Sequence, residues 1–338
     1  MYDGQQGTLV PDQPHSTVIV CAAGSGVSYG LIHRLRITWG SKVHIVALDI
    51  NPAHLVSASV LADEFIQVAP STDIRFQKQL SSVLYRHTNS HIYPVVNSDF
   101  YALAELRRSG TFKECDFVCP DDRYLSLATD KLFLDRTMQS IGIPTPETFT
   151  AEDIERKYVP ECLFIKPRNG FGSLGARGIT RNAILAMREN ELQNFIVQEV
   201  CSGPEVTIDA FVDAKLGHCV VTCRERIEIK SGVCTKARLF ANTELEDLAR
   251  RIGFALEIRG SFCFQVMRAK DKWVVTDLNL RPGAGTALSC AIGADFFSAM
   301  HACRCGERGI DLIDLSLIEH GDCFVTRQYV EYVTSLPR

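Results

Sequence analysis

Three stretches of this 338-residue chain gather charged and amide side chains at the ends of apolar runs, in patterns that suit phosphate and metal chemistry. In FIKPRNGFGSLGARGI an apolar run ends in Lys166 and passes into a loop holding Gly170, Gly172, Ser173 and Gly175. Glycines let backbone N–H groups approach phosphate oxygens, and a lysine adds a point charge. No G-K-[ST] closes the loop onto a helix, so it is not a Walker A loop. A flexible hairpin with a surface lysine fits the same residues. In FIVQEVCSGPEVTIDAFVD, Glu199 ends a buried strand and Glu205 follows in a turn. The two can accept from an adenine amino group and from ribose hydroxyls, or stand as solvated carboxylates at strand ends.

The third stretch is FQVMRAKDKWVVTDLNLRPGAGT. Asp277, Asn279 and Arg281 alternate and so share one face of a strand. Phe262–Met267 reads as its antiparallel partner. With Lys270-Asp271-Lys272 as the turn, Gln265 lies opposite Asp277. A carboxylate and two amide oxygens are hard ligands suited to Mg²⁺ and its phosphates. Arg281 is close enough to clamp a transferring phosphoryl group. Val266, Val274 and Val275 make the other face apolar, which weighs against a merely solvent-facing stripe. Lys131, in the first turn of a helix after Thr129-Asp130, is by itself an ordinary helix lysine.

These residues need a frame. From Thr17 to about Cys119, apolar runs (Val18–Ala22, Val43–Leu48, His91–Val96, Phe117–Cys119) alternate with amphipathic segments near Leu31–Trp39, Ile74–Tyr85 and Asp99–Arg107. That is the signature of a parallel, doubly wound sheet. A helix from Thr129-Asp130 carries Phe133, Leu134, Met138 and Ile141 at a 3.6 period and stops at GIPTP. Beyond Cys162 strands dominate: Leu163–Lys166, Phe195–Gln198, Glu205–Val212, His218–Arg224, Phe262–Met267 and Trp273–Leu280. Helical segments near Arg181–Glu189 and Glu244–Leu256 interrupt them. This half is α+β and mostly antiparallel. VIVCAAGSGVSYG near the start reads as a strand entering a glycine turn, with Asp49 where a ribose-binding acid would lie. The third glycine comes one residue late for a dinucleotide fingerprint. A βαβ turn that needs only small residues explains it equally.

Composition narrows the classes. Net charge is −4, against a general nucleic-acid binder. No apolar run approaches the ~20 residues of a membrane helix. The first sixteen residues lack the pattern of a signal peptide and read as a loose tail. There are thirteen cysteines and no C-x-x-C. Cys21, Cys119, Cys162, Cys219, Cys223 and Cys263 sit in apolar runs as small core hydrophobes. Reduced thiols in a cytoplasmic protein are the simple reading. His301-x-Cys303-x-Cys305 lacks the matching pair of a zinc site. The nine histidines show no pairing in sequence.

In this order, the lysines, glycine loop, glutamates and hairpin resemble the ATP-grasp superfamily. RGSFCFQV…VVTDLNLRPGAGTALS is most similar to the synthetase halves of the carbamoyl phosphate synthase large subunit. The resemblance covers nearly the whole chain. It implies α/β plus α+β architecture, with a Rossmann-like pre-ATP-grasp domain (17–120) after a disordered tail (1–16). A small ATP-grasp lobe (121–194) and a large lobe (195–338) follow. On it, the N-terminal glycine turn walls the acceptor side and does not hold NAD. Lys131 and Lys166 match the two nucleotide-phosphate cations. Gly170, Gly172, Ser173 and Gly175 match the mobile loop over ATP. Glu199 with Val200 and Cys201 matches the adenine hinge, and Glu205 the ribose contact. Gln265, Asp277 and Asn279 match the metal ligands, and Arg281 the catalytic arginine. Arg224 and Arg226, with Lys236 beyond, lie on strands where relatives present cations to phosphate or a substrate carboxylate. Arg224 is therefore counted with Lys166 and Arg281 as catalytic. The implied cofactors are ATP and Mg²⁺ or Mn²⁺. The implied reaction joins a small-molecule carboxylate to an amine through an acyl phosphate, with no nucleic-acid or membrane partner and homodimerisation to be tested. A carboxyphosphate-forming enzyme and a non-catalytic ATP-binding module stay open. The departures are Gln265 and Asp277, which leave one formal negative charge, and N-L-R in place of N-P-R.

Overall fold

The computed structural model describes residues 16–156, 159–170, 174–230 and 232–334. Most of the expected tail therefore lies outside the described residues. Ser16, counted with that tail, already begins the first strand.

The N-terminal part is a five-stranded parallel sheet: β1 (Ser16–Val20), β2 (Val43–Asp49), β3 (Glu64–Gln67), β4 (Ser90–Tyr93) and β5 (Asp116–Phe117), in the order β3-β2-β1-β4-β5. Helices α1 (Gly26–Trp39), α2 (Ile74–Arg86) and α3 (Asn97–Ser109) make the crossovers. Successive β1 side chains point to opposite faces. Val18 and Val20 pack toward α1, while Ile19 and Cys21 pack toward α2 and α3. Burial on both faces explains the unbroken apolar runs. α1 starts earlier than its periodicity suggests, because Ser25 caps it by accepting from the Ser28 N–H inside the glycine turn.

The middle part holds α4 (Lys131–Ser140), β6 (Thr148–Phe149), α5 (Ala151–Arg156), β7 (Cys162–Pro167), β8 (Arg177–Thr180), α6 (Arg181–Leu185), α7 (Glu189–Leu192) and β9 (Phe195–Glu199). Its four strands form an antiparallel sheet ordered β6-β9-β7-β8. The single helical segment expected over Arg181–Glu189 is two short helices. A second sheet, ordered β14-β13-β10-β11-β12-β15, carries β10 (Ser202–Asp213), β11 (His218–Lys230), β12 (Val233–Phe240), β13 (Arg259–Ala269), β14 (Lys272–Asn279) and β15 (Cys323–Thr326). α8 (Thr243–Ala255) and α4 cover one face, with Leu134, Met138, Val206, Ile208, Leu245 and Ile252 in a shared core. α9 (Thr286–Cys290) and α10 (Phe296–Arg304) bridge back to the N-terminal sheet, and α11 (Ser316–Glu319) precedes β15. Cys290, Phe297 and Met300 join the core around α1. Phe297 fits there because Gly30 has no Cβ; one would come 3.0 Å from its ring.

The hairpin turn differs from expectation. It is the two-residue Lys270-Asp271 turn, both residues with positive φ. A bulge between Val275 and Asp277 then restores the expected register, so Gln265 does pair with Asp277. All thirteen cysteines are unbridged. Two placements differ from the core reading: Cys162 is exposed and Cys119 half-buried. Among the described residues no helix is long and apolar enough to cross a membrane.

Candidate active site

A cavity of about 360 Å³ opens between the middle sheet and the β10–β13–β14 part of the large one. Its wall carries Lys131, Lys166, Gly170, Glu199, Val200, Cys201, Glu205, Gln265 and Asp277. Nine of the sequence-nominated positions thus converge from six elements and the loops beside them. Gly172 and Ser173 lie outside the described residues. Gly175 adjoins the wall residues Leu174 and Ala176, and a Cβ there would come 3.0 Å from the Pro167 ring.

The cationic end is built from two places. Asp130 caps α4 by accepting from the Leu132 and Phe133 N–H groups, and it pairs with Arg168 at 2.6 Å. The Lys131 N–H also donates to the Arg168 carbonyl. These links fix the first turn of α4 to the end of β7, so Lys131 Nζ reaches the Gly170 carbonyl at 3.0 Å. Lys166 Nζ donates to the Thr276 carbonyl at 2.9 Å. That carbonyl is available because Thr276 occupies the bulge. Burial lowers the Lys166 pKa, and Asp277 partly opposes the shift. Burial likewise raises the Asp277 pKa, against the pull of Lys131 and Lys166. At this end two ammonium groups flank the Asp277 carboxylate, an arrangement that suits an added anion.

Glu199 has another arrangement than an adenine contact. Its Oε1 accepts from the Glu147 N–H at 2.9 Å and its Oε2 lies 3.6 Å from Lys270 Nζ. The carboxylate ties β9 to the segment before β6, while Val200 and Cys201 present the wall itself. Glu205 pairs with Arg226 at 2.5 Å. Phe164, Leu174 and Met267 supply an apolar wall that motif reading passed over. Met267 alternates with Gln265 along β13, so the period of two was the available signal.

Asn279 and Arg281 lie beyond this cavity on the same chain segment. Asn279 pairs in register with Cys263. Arg281 lines a second cavity, about 280 Å³, between the large sheet and the N-terminal part. Its Nη1 donates to the Pro282 carbonyl, and its buried Nε has no hydrogen-bond partner among the described residues. An orphan guanidinium donor calls for an anionic or carbonyl ligand. Asp99, from PVVNSDF, accepts from the Val95 and Val96 N–H groups. Burial raises its pKa, opposed by those bonds and by the charge of Arg281.

Arg224 does not reach the cavity. It is 3% exposed, pairs with the fully buried Asp209 at 3.1 Å, and lies against Gly285. Asp209 also accepts from Thr286 and Ser289. The ion pair holds the turn after β14, so Arg224 is a positioning residue and not a contact to phosphate. Lys236 pairs with Glu228 at 3.0 Å. Asp49 accepts from the Gly24 and Asn51 N–H groups and from the Asn51 amide. The carboxylate fills the glycine turn, as expected of a structural βαβ turn.

Within this chain, residues 128–285 match the family model of the ATP-grasp domain. The chain's fold is shared by the biotin carboxylase domain of Hydrogenobacter thermophilus 2-oxoglutarate carboxylase, solved with MgADP, ADP and bicarbonate. The TM-score is 0.68 at 14% identity, over 86% of this chain and 70% of that one. It is also shared by N5-carboxyaminoimidazole synthetase of Staphylococcus aureus complexed with ADP, with TM-score 0.65 at 15% identity over 87% and 78%. The Thermus thermophilus N5-carboxyaminoimidazole ribonucleotide synthetase gives TM-score 0.66 at 16% identity over 86% and 78%. Among curated proteins no match is found.

Proposed function

We propose that the chain is an ADP-forming ligase that activates a small carboxylate with ATP and joins it to an amine. One observation carries this reading: Lys131 and Lys166 share a single cavity with Asp277 and Gln265. Adenine sits between Phe164, Leu174 and Met267 against the Val200–Cys201 backbone. Lys131 and Lys166 hold the phosphates. Asp277 and Gln265 on the cavity wall, with Asn279 two residues further along β14, are the oxygen donors that would hold Mg²⁺. When bound, the metal withdraws charge from the phosphate oxygens. The orphan Nε of Arg281 stabilises charge on the transferring phosphoryl group and orients the attacking carboxylate. The second cavity, with Arg281 on its wall, leads from the N-terminal sheet and holds the acceptor. The catalysis is positioning and electrostatics, and it asks for no covalent nucleophile. The H. thermophilus structure with bicarbonate makes bicarbonate the first acceptor to try beside carboxylic acids.

The test is phosphate release from Mg-ATP by purified protein with pooled amino acids, ammonia or bicarbonate. Release that depends on one pool and disappears in Arg281→Ala supports a ligase. ATP binding with no release from any pool favours a nucleotide-binding module.

A further inference from the structure

Strands β4 and β5 of the N-terminal sheet carry a second constellation, outside the cavity lined by Lys131 and Lys166. His91 and Asp116 are register partners on the adjacent parallel strands β4 and β5. His91 Nδ1 lies 3.0 Å from Asp116 Oδ2. Cys305 follows α10 as its C-cap, and its exposed thiol lies 3.6 Å from His91 Nε2. A nucleophile, a base and a carboxylate that orients the base therefore stand in line. Neighbouring His301 lies as near, its Nε2 also 3.6 Å from the Cys305 sulfur, but both of its ring nitrogens are engaged elsewhere. Its Nε2 meets Ser16 Oγ at 3.1 Å and its Nδ1 meets Tyr93 Oη at 3.0 Å. Burial, with the charge of His91, lowers its pKa to about 3, so it stays neutral. From α10, Arg304 Nε donates to Asp116 at 2.7 Å, and from α1, Trp39 meets the His301 ring edge-on. The Cys303 thiol turns away to Asp213. Burial would depress His91, but its bonds to Asp116 and Cys305 raise its pKa to about 9.

We propose that Cys305 is a nucleophilic thiol activated by the His91–Asp116 pair, and that it is modified by low-molecular-weight disulfides. Cys305 lies on neither cavity described above, and its exposed thiol is open to a small reagent. A small disulfide brings its own leaving group. The Cys305 sulfur attacks one sulfur of R–S–S–R, an S–S bond forms to Cys305, and the second RS⁻ leaves. Protonated His91 holds Cys305 as the attacking thiolate and gives its proton to the departing RS⁻, so the products are the mixed disulfide, RSH and neutral His91.

The experiment incubates the full chain with oxidised glutathione and maps mixed disulfides by peptide mass spectrometry over time. Exposed Cys162 is the internal reference. At pH 6.5 Cys305 should react at least about tenfold faster than Cys162, and from pH 8 to 6.5 it should lose far less than the roughly 25-fold expected of an ordinary thiol. His91→Gln should bring Cys305 to the rate of Cys162 and leave Cys162 unchanged. Equal rates and equal pH dependence for the two cysteines in the unmodified protein would overturn the proposal, whether or not the variant folds. An unchanged Cys305 rate in folded His91→Gln would overturn it as well.

Discussion

Lys166→Met separates a phosphate-binding role from a structural one. The lysine stem is buried, and methionine fills similar volume without the charge or the donor. Two losses follow from the geometry. The Thr276 carbonyl loses the 2.9 Å bond from Nζ. An orphaned buried carbonyl costs about 1–3 kcal/mol. That cost is partly offset, because burial already disfavours the ammonium and lowers its pKa. Net destabilisation should therefore sit at the low end of that range. Turnover should fall much further. A preorganised donor to charge that develops in transfer is worth about 2.7–4 kcal/mol, or roughly 10²–10³ in kcat. ADP formation measured on protein of known urea stability distinguishes the two losses. Activity within about threefold of the parent in a folded variant, a change below 1 kcal/mol in barrier, would refute the assignment. Lys166 would then be a brace for the bulge alone.

Other outcomes follow from the same geometry. Asp277→Asn removes the one carboxylate of the donor set. It should lower turnover by about 10²-fold or more and abolish the Mg²⁺ dependence of nucleotide affinity in calorimetric titrations. Gly285→Ala should drive the new Cβ into the Arg224 guanidinium. Breaking that buried pair should cost about 3–5 kcal/mol by urea unfolding. Asp49→Ala should lower stability by about 1–3 kcal/mol through the unsatisfied Gly24 and Asn51 N–H groups, and neither protein should bind NADH in a fluorescence titration. His91 is raised to about 9 in the folded state. Its stabilisation should be complete below its unfolded pKa of about 6.5 and vanish as pH rises through about 9. The urea midpoint of His91→Gln should accordingly fall less than that of the parent between pH 6.5 and 9.

Local rules carried much of the architecture. Continuous apolar runs such as Val43–Leu48 announced strands buried on both faces, and the 3.6 period of α4 announced a helix with one covered face. Alternation placed Asp277 and Asn279 together, because a strand's side-chain period is two whatever surrounds it. The order of lysines, glycine loop and hairpin in the chain also sufficed to nominate the cleft. The register of Gln265 with Asp277 was reached through a different turn, since periodicity cannot show a bulge.

Tertiary structure decided which of these polar groups are free. Arg224, Glu199 and Asp49 have the residue types of ligand contacts, yet each is already engaged: Arg224 by Asp209, Glu199 by Glu147 and Lys270, and Asp49 by Gly24 and the adjacent Asn51. Among the described residues Arg281 keeps a buried donor without a partner, which sequence alone cannot reveal. His91, Asp116 and Cys305 have nothing in sequence to join them; parallel strand pairing and the return of α10 bring them together. Sequence patterns determine the elements and the candidate chemistry, because those depend on local period and residue type. Which groups stay available depends on hydrogen bonds and desolvation between distant segments, and these exist only in the folded chain.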